Sequence, residues 1–182
     1  MSKNREGSVL KLTTLAMLAA LAVSIGIFKF SIFPSAPFLE FDFADIPILI
    51  ATLAFGVTPG LGVLFVVSLV QAFFLGGNGI IGLIMHFVAS GAVVVIFGNV
   101  CKNKKTGKRL TLSAIFGTLA MTALMIPLNY IFIPLLFEVP TAMVTDFLPA
   151  IIPFNLIKAG VNTALACIVW LPLRKLIDVS DK

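Results

Sequence analysis

The sequence has few of the side chains that enzymes and metal proteins use at their catalytic and metal-binding sites. Its 182 residues include two cysteines and one histidine, and only 12% of them are charged. Cys101 and Cys167 stand apart, without the CxxC or Cys/His spacing of a metal site or a disulfide framework. The apolar runs contain no paired carboxylates and no Ser/Lys dyad, and the chain has no GxxxxGK[ST] phosphate-binding sequence. These absences argue against an enzyme, a metal protein and an ATPase.

Apolar residues are what the sequence has in excess. They make up 59% of the chain, against about 45–50% in an average soluble domain, where about 25% of residues are charged. Such a composition suits lipid better than water, and residues 1–182 are long enough for one domain. The net charge of +5 comes from short basic clusters between apolar runs, unlike the surface of a nucleic-acid-binding protein. We therefore predict an integral protein of the lipid bilayer that binds no nucleic acid.

The apolar residues fall into six runs separated by proline, glycine or charged residues. A helix needs about 20 apolar residues to cross the hydrocarbon core of a bilayer. The runs cover residues 9–30, 43–56, 61–75, 80–100, 110–137 and 148–173. The second run is short, so it forms either a tilted or buried helix of its own or a re-entrant hairpin with the third run. The predicted fold is an all-α membrane protein, a compact bundle of six transmembrane helices.

The distribution of charge favours six spans over the odd number that a re-entrant hairpin would leave. With six, both termini, the turn at 56–60 and the loop at 102–109 share one side of the membrane. That side carries 11 of the 13 basic residues, namely Lys3, Arg5, Lys11, Lys102, Lys104, Lys105, Lys108, Arg109, Arg174, Lys175 and Lys182. The opposite side carries the carboxylates Glu40, Asp42, Asp45, Glu138 and Asp146. Because cytoplasmic loops are enriched in Lys and Arg, we predict that both termini are cytoplasmic.

Polar side chains inside the apolar runs mark a candidate binding site. Lys158 lies well inside the sixth run, where a lysine costs about 2.5–3.5 kcal/mol on insertion scales. Asn155 shares its helical face, three residues earlier, and Asn129 is a second amide in the fifth run. An intramembrane ionisable residue is by default a functional one, although helix packing alone can also satisfy a buried lysine or amide. If Lys158 binds a ligand, its loss is expected to lower affinity and leave folding unharmed.

Three further features have two interpretations each. The loop after the first run, including Phe38, Leu39, Glu40 and Phe41, is aromatic and stiffened by prolines; it either caps a flat ligand or forms an interfacial aromatic belt. Asp45 at its end is also placed to cap the second helix.

His86, in the fourth run, either lines the site or bonds a neighbouring helix. Ala16 and Ala20 form a small-xxx-small pair for close helix contact, within the chain or with another subunit.

Three stretches resemble the riboflavin-specific substrate-binding subunits (S components) of energy-coupling factor (ECF) transporters. They are Pro37-Phe38-Leu39-Glu40-Phe41-Asp42-Phe43-Ala44-Asp45-Ile46-Pro47, Ala120-Met121-Thr122-Ala123-Leu124-Met125 running into Leu128-Asn129-Tyr130, and Ile152-Pro153-Phe154-Asn155-Leu156-Ile157-Lys158. The six-span layout and the small size also agree, so the resemblance covers nearly the whole chain.

The resemblance implies a specific function in a prokaryotic plasma membrane. Such subunits bind riboflavin near the extracellular side and do no chemistry, so no cofactor is expected. Asn129, Asn155 and Lys158 would contact the flavin, with the first outer loop gating the site. Ala16 and Ala20 would dock a membrane coupling subunit, which works with two cytoplasmic ATPases to drive uptake.

Some alternatives stay open beside riboflavin uptake. The family often has Asn where His86 stands, so His86 is expected to alter affinity or ligand range. Another vitamin or a flavin derivative such as FMN is a second candidate ligand. A self-contained carrier is a third possibility, but such proteins usually show inverted repeats or a polar lumen.

Overall fold

The computed structural model describes residues 3–180, which form six helices and one short hairpin. Among the basic residues used for the topology prediction, Lys182 lies outside this range. The side chains of Lys3, Arg5 and Lys175 are also outside the described part of the structure. In chain order the elements are α1 (Lys3–Ile25), β1 (Phe30–Ser31), β2 (Glu40–Phe41), α2 (Asp45–Phe55), α3 (Val57–Phe74), α4 (Gly79–Val100), α5 (Gly107–Phe137) and α6 (Ala142–Ser180).

Five of the described helices are long and apolar enough to cross a membrane, and α2 is the exception. Its 11 residues extend only about 16 Å at 1.5 Å per residue, about half the thickness of the hydrocarbon core. The prediction of a helical membrane protein is therefore confirmed.

The short helix α2 lies at the centre of the bundle. It packs against α1, α3, α4 and α6, while the long helices form an arc around it in the order α1, α3, α4, α5, α6. Most of its residues are buried, including Ile48, Leu49 and Leu53. Among the described side chains, large exposed apolar residues occur on every long helix and none on α2. Of the two interpretations of the second run, the structure has the buried helix.

The joint between α2 and α3 is tighter than the sequence suggested. The turn expected over 56–60 contracts to Gly56, whose φ of 95° is a conformation that glycine adopts at little cost. Helix α3 already begins at Val57 and holds Pro59 in its first turn. Proline is tolerated there because the first N–H groups of a helix have no intrahelical partner.

A two-stranded hairpin departs from the all-α prediction. Phe30 pairs with Phe41 and Ser31 with Glu40 in antiparallel register. The chain between the strands crosses to α5 and α6, where Ala36 and Leu39 join a buried apolar cluster. The first outer loop is thereby packed onto the end of the bundle.

A close approach between α2 and α3 generates a test of this packing. A Cβ at Gly60 would collide with Thr52 Oγ1 and lie 3.0 Å from Thr52 Cβ, and the Thr52 hydroxyl is held by the Ile48 carbonyl at 2.9 Å. We expect Gly60→Ala to destabilise the protein by about 1–3 kcal/mol, the usual cost of overpacking. Thermal unfolding in detergent, followed by circular dichroism, measures the effect.

The control is Gly62→Ala on the same helix, where an added Cβ meets nothing within 4 Å. Alanine favours a helix over glycine by about 0.5–1 kcal/mol, so this variant should melt at the same or a higher temperature. Equal melting temperatures for the two variants would contradict the packing of α2 on α3.

Candidate functional site

A cavity opens at the end of the bundle where α1, α3 and α5 finish and α2, α4 and α6 begin. Every long helix except α1 lines it, together with Lys29 after α1 and the first outer loop. The cavity leaves about 980 Å³ free of protein atoms, counting the solvent at its open mouth. A cleft between the helices of a bundle, open to solvent at one end, is a usual form of small-molecule site.

An ion pair ties the first outer loop to α6 beside this cavity. Lys158 Nζ lies 2.8 Å from Asp42 Oδ2, and it also donates to the Glu40 carbonyl at 3.1 Å. The Ala44 N–H donates to Asp42 Oδ1 at 2.9 Å. Asn162 Nδ2 donates to the Asp42 carbonyl at 3.0 Å. The side chain and the backbone of Asp42 are thus both fixed.

Burial and pairing have opposite effects on the ionisation of the Asp42 carboxyl group. Only 4% of the residue is exposed, and burial by itself raises its pKa. The Lys158 ammonium beside it and the hydrogen bond from Ala44 have the opposite effect, and they hold the pKa of Asp42 below its ordinary value. Because Lys158 is the partner of this buried carboxyl group, we now expect the loss of Lys158 to affect folding as well as ligand binding.

The two predicted amides, Asn129 and Asn155, both line the cavity and are buried. Asn129 Nδ2 donates to the Met125 carbonyl at 2.6 Å, and Asn155 Nδ2 donates to the Ile151 carbonyl at 2.8 Å. Asn155 Oδ1 is buried without a hydrogen-bond partner among the described residues. The structure therefore brings Asn129, Asn155 and Lys158 together at one site, with an acceptor left unused.

His86 lines the cavity and also joins three helices. Its Nε2 lies 3.2 Å from Asp45 Oδ1 on α2, and its Nδ1 lies 3.0 Å from Ser68 Oγ on α3. A carboxylate only accepts hydrogen bonds, so Nε2 donates and Nδ1 accepts from the serine hydroxyl. Asp45 also accepts from Ser90 on α4 at 3.1 Å. Asp45 is therefore a cross-helix acceptor and not a helix cap; Ala44 is the N-cap residue of α2.

Some residues of the first outer loop line the cavity, and others pack against each other within the loop. Phe38, Leu39 and Glu40 line the cavity. Phe41, expected beside them, does not; it is buried and its ring lies 5.2 Å from that of Phe30 and 5.0 Å from that of Phe43. Successive strand residues point to opposite faces, so Glu40 and Phe41 cannot both face the ligand.

Sequence reasoning missed several residues of the site, among them Lys29, Gln71 and Asp42. Lys29 lines the cavity, with Nζ 3.0 Å from Glu40 Oε2 and 3.1 Å from the Leu75 carbonyl. Gln71 is a buried amide on α3 at the cavity wall. In the sequence analysis, Asp42 was used only as one of the carboxylates on the outer side of the membrane. The signal for Gln71 was present, as an amide within an apolar run.

Ala16 and Ala20 lie away from the cavity, and both are exposed on α1. The exposed pair is available for contact with another helix, and its docking role stays a prediction.

Comparison with known proteins defines the class. Residues 10–170 match the family described as ECF transporter, substrate-specific component. The chain belongs to this family, so it is a membrane component of a transporter and not an enzyme, and no cofactor is expected.

Particular relatives are riboflavin transporters. The chain is 30% identical to riboflavin transporter RibU of Streptococcus thermophilus, over 92% of this chain and 84% of that one. It is 31% identical to riboflavin transporter FmnP of Bacillus subtilis, over 93% and 95% of the two chains. A solved S component of a bacterial ECF transporter superposes with a TM-score of 0.82 at 30% identity, covering 93% of this chain and 98% of that one.

The ion pair generates a stability test. Lys158→Met leaves the Asp42 carboxylate buried without its partner, which typically costs about 3–5 kcal/mol. Adding Asp42→Asn removes that charge and keeps an oxygen for the Ala44 N–H, so the double variant should recover much of the loss. Melting of the ligand-free single and double variants completes the cycle. Additive losses would show that the two side chains do not interact.

Proposed function

We propose that this protein captures riboflavin in the cavity under the first outer loop and is the substrate-binding subunit for its uptake. The observation that carries the proposal is the grouping of two buried amides and Lys158 at one wall of a largely apolar cavity. The family match and the riboflavin transporters among the relatives support it.

The walls of the cavity suit a flat ring with one polar edge. The isoalloxazine of riboflavin has an apolar dimethylbenzene end and a pyrimidine end that both donates and accepts hydrogen bonds. The free acceptor Asn155 Oδ1 suits a ring N–H. Lys158 and Asn129 suit ring oxygens, and methionine, leucine and phenylalanine side chains from α4, α5 and α6 can pack on the ring faces. Few polar groups in an apolar pocket are the usual pattern for orienting such a ligand.

The charges at the cavity favour an uncharged ligand over FMN. Lys158 is already paired with Asp42, and Lys29 with Glu40. A phosphate entering this site would approach both carboxylates and would have to break these pairs to gain a cation. Like charges at close range disfavour binding, so the ribityl chain of riboflavin fits better than its phosphate ester.

The proposed topology has six spans within a single domain of residues 1–182, with both termini in the cytoplasm. The cavity end then faces outward, and the basic loop at 102–109 faces inward, as the distribution of Lys and Arg favours. The second crossing is the short, buried α2. A prokaryotic plasma membrane is the proposed location.

The proposed partners are a membrane coupling subunit and two cytoplasmic ATPases. Because the sequence has no phosphate-binding motif of its own, ATP hydrolysis must come from other chains. The exposed pair Ala16 and Ala20 on α1 offers a smooth surface on which another helix can approach closely.

Asn155→Leu tests the binding site. The change removes the unpaired acceptor, so a ring N–H would lose its partner, at a cost of about 1–3 kcal/mol. Riboflavin affinity should fall about fivefold to a hundredfold, measured by quenching of flavin fluorescence. The matched control is Asn99→Leu on α4, an exposed asparagine away from the cavity, which should bind as the wild type does. If wild-type protein does not bind riboflavin, the proposal fails.

Cysteine labelling tests the topology. Cys101 and Cys167 are first replaced by serine, and single cysteines are placed at Ser35 and Thr106. A membrane-impermeant maleimide added to whole cells should label the first and spare the second. The reverse pattern would contradict cytoplasmic termini.

Ala16→Leu and Ala20→Leu test the docking surface. Leucine at a small-xxx-small site blocks close helix approach, so co-purification with the coupling subunit should weaken while riboflavin affinity of the isolated subunit stays the same. Loss of riboflavin binding by the isolated variant would instead assign the pair to internal packing.

A further inference from the structure

A second wall of the cavity carries an amide that the chain leaves unpaired. Gln71 on α3 is only 7% exposed, and its Nε2 is buried without a hydrogen-bond partner in the described part of the chain. Buried polar groups are nearly always paired, so each exception calls for an explanation. Gln71 and Asn155 both line the cavity, so a molecule that enters it is a candidate for the missing partner of each.

The position of this amide is set by its surroundings. Gly26, just after α1, leaves the space that the side chain occupies, because a Cβ there would collide with Gln71 Nε2 and lie 3.1 Å from the Ala22 carbonyl. The Gln71 carbonyl accepts from the N–H groups of Gly77 and Leu75 at 3.0 and 3.2 Å. These hydrogen bonds to the backbone carbonyl close the end of α3, and the side-chain amide lies in the space that Gly26 leaves.

Gln71 faces the ligand from a different side than the amides of α5 and α6. Helix α2 packs against both α3 and α6, so it lies between the two walls. His86, beside Gln71 at the cavity, is already bonded to Ser68 and Asp45. On α3 itself, the carboxamide of Gln71 is thus the polar side chain at the cavity that carries a buried atom without a partner among the described residues.

The chemistry of a carboxamide selects which part of the ligand meets it. If the pyrimidine edge lies at Asn155 and Lys158, the dimethylbenzene end and the hydroxyl-bearing ribityl chain remain. An apolar ring edge against Gln71 would leave Nε2 buried and unpaired, which is costly. A hydroxyl both donates and accepts, and so does a carboxamide, so the ribityl chain is the matching partner.

We propose that Gln71 is a specificity-determining residue that recognises the hydroxylated side chain of the ligand. This inference rests on the proposed function and extends it. It makes the site selective for flavins that carry a polyol chain, because a site with an unpaired hydrogen-bonding group rejects an analogue that lacks the hydroxyl.

Two ligands and one substitution test the inference. Lumiflavin has the same ring as riboflavin, with a methyl group in place of the ribityl chain. Gln71→Leu should lower the affinity for riboflavin about tenfold or more and leave the affinity for lumiflavin the same or higher. Gly26→Ala should shift the preference in the same direction, because it displaces the amide. Fluorescence quenching measures both ligands on each variant.

Asn155→Leu is the matched control. The ring edge is common to both flavins, so this variant should lose affinity for riboflavin and for lumiflavin. Equal losses of riboflavin and lumiflavin in Gln71→Leu would assign Gln71 to packing and overturn the inference, and so would unchanged riboflavin affinity. A failure of the proposed function is distinguishable, since wild-type protein would then bind neither flavin.

Discussion

The buried ion pair between Asp42 and Lys158 is the contact on which the cavity depends. The two residues are 116 positions apart in sequence, and they meet at the end of the bundle, where the outer loop passes α6. Either charge alone would be costly at this depth. Together, with hydrogen bonds from Ala44 and Asn162 to Asp42, they hold the loop against the helices. The loop then packs Ala36 and Leu39 onto α5 and α6 and closes one side of the cavity.

The same pairing decides what the cavity can bind. Lys158 is paired with Asp42 and Lys29 with Glu40, so neither lysine at the cavity lacks a carboxylate, and His86 contacts Asp45. Among the described residues, the buried side chains at the cavity that have an unpaired hydrogen-bonding atom are the neutral amides of Asn155 and Gln71. A neutral ligand with polar groups at two separated places is complementary to this arrangement. Riboflavin has both, at its pyrimidine edge and along its ribityl chain.

Much of the fold was predictable from local pattern, because each long apolar run forms one helix in lipid. The short second run was ambiguous, since its sequence does not show that α1, α3, α4 and α6 surround it. Asn129, Asn155 and Lys158 were identified as polar groups within apolar runs, but the partner of Lys158 depends on a tertiary contact that no local pattern contains. The error at Phe41 arose because the loop forms a strand, in which alternate residues face opposite ways.

The most direct measurement is mass spectrometry of small molecules released from purified protein. Wild-type protein, extracted in mild detergent from cells that contain the full set of vitamins, should release riboflavin in an amount close to that of the protein. The double variant Lys158→Met/Asp42→Asn, which loses the ion pair between the loop and α6, should release far less. Release of a different vitamin by the wild type, or of equal riboflavin by the double variant, would contradict a riboflavin site held together by this ion pair.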